Sequence, residues 1–216
     1  MIRDRVIRRL APSLAGLGEP LDLDGARARR SDRTRGDHVI DPGMRLKETL
    51  KPAAVLVPLV NHDTGMSVML TRRTEHLLDH AGQISFPGGR IEETDENAVA
   101  AALREAEEEV GLPDSHVEVV GRLDDYATGT GFLVAPVVGV IEPPYPTELD
   151  PFEVAEAFEV PLDFVMDPRN HKRESRAFRG VERHFYVLPY EDRYIWGATA
   201  AMLVNLYEVL QDRGQD

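Results

Sequence analysis

The sequence predicts an α/β fold, a mixed sheet with helices layered on both faces. Three observations predict it. First, of two stretches of strand length, Ala53 to Val60 and Val134 to Ile141, the former is a continuous apolar run rather than an alternating one, as a buried strand is. Second, a stretch with helical spacing, Asp95 to Glu109, lies between them, and another, Gly197 to Gln211, closes the chain. Third, 216 residues, 42% of them hydrophobic, suffice to bury a core without staples. The expected organisation is one such domain over residues 51–216, preceded by a helical and loop extension over residues 1–50.

Taken in order, Ile2, Val6, Leu10 and Leu14 recur near helical spacing, so the chain should open on a short amphipathic helix. Residues 25–37 are polar and arginine-rich and read as a loop or linker. Ala53 to Val60 and Ser67 to Thr71 flank turn residues and predict a hairpin. Thr94 or Asp95 can cap the helix that follows, and Gly111 suits the left-handed position that ends it. Further strands are predicted at Val117 to Leu123, Val134 to Ile141, Glu153 to Phe158 and His184 to Leu188. Tyr126 to Gly131 reads as a turn. Trp196, the sole tryptophan, should be buried at the start of the last helix, whose Leu203, Leu206, Tyr207 and Leu210 are available for the core.

Charge and composition exclude several classes. Without cysteine there are no disulfides, thiolate zinc sites or cysteine nucleophile. No apolar run reaches the roughly 18 residues of a membrane-spanning helix. The arginine-studded start is not a secretory signal, and Asp4, Glu19, Asp22 and Asp24 argue against a matrix-targeting peptide. A cytoplasmic protein is the expectation. With 25 basic and 38 acidic side chains the net charge is -13, which disfavours nucleic acid as a partner. The charge is uneven: residues 1–36 hold nine arginines against five acids and carry +4, which leaves -17 for the rest.

The chemistry is concentrated in Gly88 to Leu112. On a helical wheel Val99, Ala102, Leu103, Ala106 and Val110 form a stripe that should face the core. Glu105, Glu108 and Glu109 fall together on a neighbouring face, with the small Ala101 and Ala98 one and two turns earlier. Clustered carboxylates repel, and a hard divalent cation such as magnesium or manganese reverses that cost. The preceding Gly-Gly turn can bring a backbone carbonyl near such ions, and Arg104 can hold part of the acidic set in place.

Arg104-Glu105-Ala106-Glu107-Glu108-Glu109-Val110-Gly111-Leu112 resembles the ending of the Nudix box, R-E-U-x-E-E-x-G-U, where U is a bulky aliphatic residue. The box opens G-x5-E-x7-R-E, whereas Gly89 to Glu96 encloses six residues, so the front is one residue longer. Upstream, Met69 to Thr74 and Gly82 to Gly89 resemble the signature of the coenzyme A pyrophosphatase branch. Met69, Thr74 and Leu78 depart from it. Leu78 replaces an arginine in a loop that should meet a phosphorylated substrate, with Arg72, Arg73 or Arg90 as compensating cations.

The resemblance implies a Nudix α/β/α sandwich and metal-dependent hydrolysis of the pyrophosphate bond of coenzyme A or its derivatives, with ADP-ribose or NADH as alternatives. It implies Mg2+ or Mn2+ as cofactor, held by Glu105, Glu109, Glu108 and the Gly89 carbonyl. Glu105, Glu108 and Arg104 form the implied catalytic set, with Arg104 orienting the glutamates. The general base is open among Glu108, a metal-bound hydroxide, Glu153 and Glu156. Arg72, Arg73, Gln83 and Phe86 are the implied substrate contacts, one of the two arginines pointing away because strand neighbours alternate. His76 and His80 share the same loop. A small nucleotide is the expected partner, with nucleic acid and membrane excluded and a homodimer left open.

Overall fold

The structure is a computed structural model that describes residues 2–27, 34–41, 43–77, 80–178 and 180–211. In chain order the elements are α1 (Ile2–Leu10), α2 (Leu23–Arg27), β1 (Thr34–Gly36), α3 (Asp37–Ile40), β2 (Lys51–His62), β3 (Gly65–Arg73), β4 (Ile84–Ser85) and β5 (Gly88–Arg90). They continue as α4 (Ala98–Val110), β6 (Val117–Arg122), β7 (Asp125–Ala127), β8 (Phe132–Ile141), β9 (Val154–Pro161), α5 (Leu162–Val165), β10 (Lys172–Phe178), β11 (Val181–Tyr190), β12 (Arg193–Trp196) and α6 (Gly197–Leu210).

The expected mixed sheet is present. β2 lies at its centre, parallel to β8 and antiparallel to β3, while its first half also pairs β5. β9 pairs β3, and β6 and β7 pair β8. Alternation along β2 and β8 divides the core. Ala54, Leu56, Ala135 and Val137 pack under α4, while Val57, Leu59, Val138 and Val140 pack with α1 and α6 on the other face. That two-sided cover explains why both strands are apolar without a break.

Several expectations need correction. The helix α4 begins at Ala98, not Asp95, and Asn97 caps it by accepting hydrogen bonds from the Val99 and Ala100 amides at 2.9 and 3.1 Å. Thr94 and Asp95 stand before it. The buried stripe of α4 is Ala98, Ala101, Ala102, Ala106 and Val110, whereas Val99 and Leu103 are only half-buried. Small residues thus serve close packing of helix on sheet. β10 had no apolar pattern to announce it, because all of Lys172 to Ala177 is exposed. Trp196 is half-buried and meets Phe185 edge-on, with 5.4 Å between ring centres.

The N-terminal segment is woven into the domain. Val6 and Leu10 are buried in the core shared with α6, and β1 adds to the main sheet beside β7. Part of the expected linker is therefore helix and strand, and the stretch between them, residues 28–33, lies outside the described residues. Tyr126, read as part of a turn, is on β7, buried, and donates to Asp37 Oδ1 at 2.6 Å. Among the described residues no helix is long and apolar enough to cross a membrane.

Candidate active site

The acidic edge of α4 lies against β5. Gly88 donates its amide to Glu109 Oε2 at 3.3 Å, and a Cβ at Gly89 would overlap the Glu105 carboxylate. Only glycine lets the β5 backbone come that close to the helix. Glu109 is 4% exposed. Burial pushes its carboxyl up to about 8, against the opposing pull of the Arg73 guanidinium and the Gly88 amide. Burial likewise raises the Glu105 carboxyl, partly offset by Arg104.

Arg104 organises the edge. Its guanidinium reaches Glu105 and Glu108 at 3.0 Å each and the Arg90 carbonyl at 3.2 Å. Its firmest partner is Asp95, which accepts two hydrogen bonds from it at 2.9 and 3.0 Å and a third from the Glu92 amide at 2.8 Å. Asp95 was missed, since counting back from Arg104 selects Glu96, which is exposed. Counting forward from Gly89 finds Asp95 after five residues, so the signal was present. The extra residue lies behind the acid rather than before it.

The two strand arginines separate as expected. Arg73 turns toward the glutamates, with Glu109 and Glu153 each at 3.5 Å. Arg72 pairs with Glu156 at 3.1 Å, and Glu156 also pairs with Arg193, whose guanidinium lies over the Phe158 ring. Among the candidate bases, Glu153 therefore stands with the glutamate edge, while Glu156 is committed to arginine pairs. Arg72 is tied to that same Glu156 cluster rather than to the glutamates. Phe86 is also corrected as a substrate contact: at 2% exposure it packs in the core. Gln83 is half-buried and its side chain meets His80 Nδ1 at 2.7 Å. Leu78 lies outside the described residues.

The donors fit a hard divalent cation: carboxylate oxygens on one edge, two of them drawn out of water, beside a close backbone. They are not a closed cage. Among the described residues no three acidic or histidine groups converge as a preformed metal site, and Glu108, 60% exposed, is turned onto Arg104.

The NUDIX domain model matches residues 50–180. The chain belongs to the Nudix family. It is 42% identical over 162 residues to the uncharacterized Nudix hydrolase NudL of Escherichia coli K12, covering 74% of this chain and 84% of that one. The NudL protein of Shigella boydii is 41% identical over the same coverage. Among solved structures, a Caenorhabditis elegans Ap4A hydrolase complex aligns at 19% identity, with 53% of this chain and 82% of that one covered and a TM-score of 0.44. As a Nudix hydrolase the chain acts on pyrophosphate bonds, and the Nudix family generally uses divalent ions such as Mg2+ or Mn2+.

Proposed function

We propose that this Nudix hydrolase cleaves the pyrophosphate bond of coenzyme A or an acyl derivative, giving 3′,5′-ADP and 4′-phosphopantetheine or its acyl form. The observation that carries the reading is the upstream signature brought onto the acidic helix: Arg73, from the Met69 to Thr74 segment, reaches Glu109, and the Gly88-Gly89 pair lies against Glu109 and Glu105. Glu105, Glu109 and Glu108, with the Gly89 carbonyl, would hold Mg2+ or Mn2+. Once bound, such an ion neutralises phosphate oxygens and lowers the pKa of attacking water.

The protein groups supply the rest. Arg104, anchored by Asp95, fixes Glu105 and turns Glu108 along the helix edge. Arg73 holds Glu153 opposite that edge from a different element, and its charge offsets the repulsion between Glu153 and Glu109. In this reading Glu153, about half exposed and paired with Arg73, takes a proton from the attacking water. The water oxygen forms the new bond to phosphorus, the bridging P–O bond breaks, and its electron pair leaves on the departing phosphate.

The test is turnover of coenzyme A, acetyl-coenzyme A, ADP-ribose and NADH with Mg2+ or Mn2+, with products identified by mass. Coenzyme A should have the highest kcat/KM. A clear preference for ADP-ribose or NADH would overturn the assignment.

A further inference from the structure

Phe152 is the most exposed large apolar side chain among the described residues, at 74%. A single exposed apolar side chain on a loop is ordinary. This one is held in an unusual way. Its amide donates to Asp150 Oδ1 at 2.8 Å, and its carbonyl accepts from the Thr74 hydroxyl at 2.8 Å. The next residue is locked too, because the Glu153 carbonyl accepts from the Thr74 amide at 2.9 Å and its own amide donates to Asp150 O at 3.2 Å. The backbone is thus fixed on both sides while the ring stands in solvent. A mostly exposed aromatic on a pinned backbone has only its own side-chain torsions left to lose when it meets a planar partner.

Its position supplies the partner. Phe152 directly precedes Glu153, which shares Arg73 with Glu109, and it is joined through Thr74 to the base of the loop that runs to Gln83. A nucleotide whose pyrophosphate lies along Glu105 and Glu109 carries its base a few bonds away, and the segment holding Glu153 borders that edge through Arg73. Aromatic faces bind bases with little regard to identity, since every base presents a π-face. We propose that Phe152 is the stacking platform for the adenine base of the substrate. The inference rests on the pyrophosphatase reading but not on coenzyme A in particular, because ADP-ribose and NADH also carry adenine.

The experiment compares the wild type with Phe152→Ala and Phe152→Trp. Steady-state kinetics are run on coenzyme A and ADP-ribose, and calorimetric titrations use ADP and inorganic pyrophosphate in the presence of Mg2+. Phe152→Ala should raise KM about tenfold on whichever nucleotide the wild type hydrolyses, leave kcat within about twofold, and leave the melting temperature unchanged. It should weaken ADP about tenfold and leave pyrophosphate unaltered, while Phe152→Trp restores both KM and ADP affinity. An unchanged KM and ADP affinity in Phe152→Ala would overturn the proposal, as would equal weakening of ADP and pyrophosphate. Failure of the coenzyme A reading shows separately, in the wild-type substrate preference, and the ADP titration needs no turnover.

Discussion

Replacing Asp95 by asparagine should damage this enzyme more than Glu96→Gln, although the box spacing counted back from Arg104 points to Glu96. Asp95 keeps 4% of its side chain exposed and receives two hydrogen bonds from Arg104. Breaking a buried ion pair costs about 3–5 kcal/mol. Arg104 is 26% exposed and retains Glu105 and Glu108, so the loss is discounted to about 1–2 kcal/mol. If that loss falls on the geometry of the glutamate edge, kcat drops about five- to thirtyfold, since each 1.36 kcal/mol is tenfold. Glu96→Gln should stay within about twofold of wild type, because its side chain is exposed. Steady-state kinetics and urea unfolding of both variants decide the matter. The pH dependence has a definite sign. The Arg104 hydrogen bonds hold the Asp95 carboxyl below its ordinary value, so its contribution is present above pH about 4 and lost as pH falls through the lowered value. The stability gap between wild type and Asp95→Asn should therefore close in acid. A Glu96→Gln variant that loses turnover while Asp95→Asn keeps it would refute the reasoning.

Glu153→Gln should lower kcat at least tenfold with divalent-ion binding intact, whereas Glu156→Gln should keep turnover and lower stability by about 1 kcal/mol, since it leaves Arg193 and Arg72 without their shared partner; kinetics with calorimetric metal titration separate the two. Burial would raise the Glu159 carboxyl, but hydrogen bonds from Ser67, His62 and Tyr145 outweigh it and hold it below its ordinary value. Its stabilisation is present above pH about 4.3 and lost as pH falls through the lowered value, so Glu159→Gln should reduce the melting temperature at pH 7 and match wild type in acid. Leu10→Ala removes a side chain 1% exposed and should cost about 2–5 kcal/mol in urea unfolding; an unchanged midpoint would mean that α1 does not share the core.

The sequence determined the layers and the acidic helix edge. Uninterrupted apolar strands require cover on both faces, and Glu105, Glu108 and Glu109 at three- and four-residue steps must share one helix edge. Both follow from the period of the backbone alone. Gly88 and Gly89 were legible as a close approach, and the alternation of Arg72 and Arg73 as opposite faces. What stayed hidden depends on partners distant in sequence. Only packing shows that Glu153 rather than Glu156 meets Arg73 beside Glu109, because a shift in register between Arg72 and Arg73 sets how β9 lies against β3. The anchor of Arg104 was decided by the shape of the loop before α4, where Asp95 folds back and Asn97 takes the cap. Polar strands such as β10 carry no apolar period, and the burial of Val6 and Leu10 depends on α6, roughly the whole chain length away. Local periodicity is written in the chain, while the choice among chemically equivalent acids is made only when separate elements come into contact.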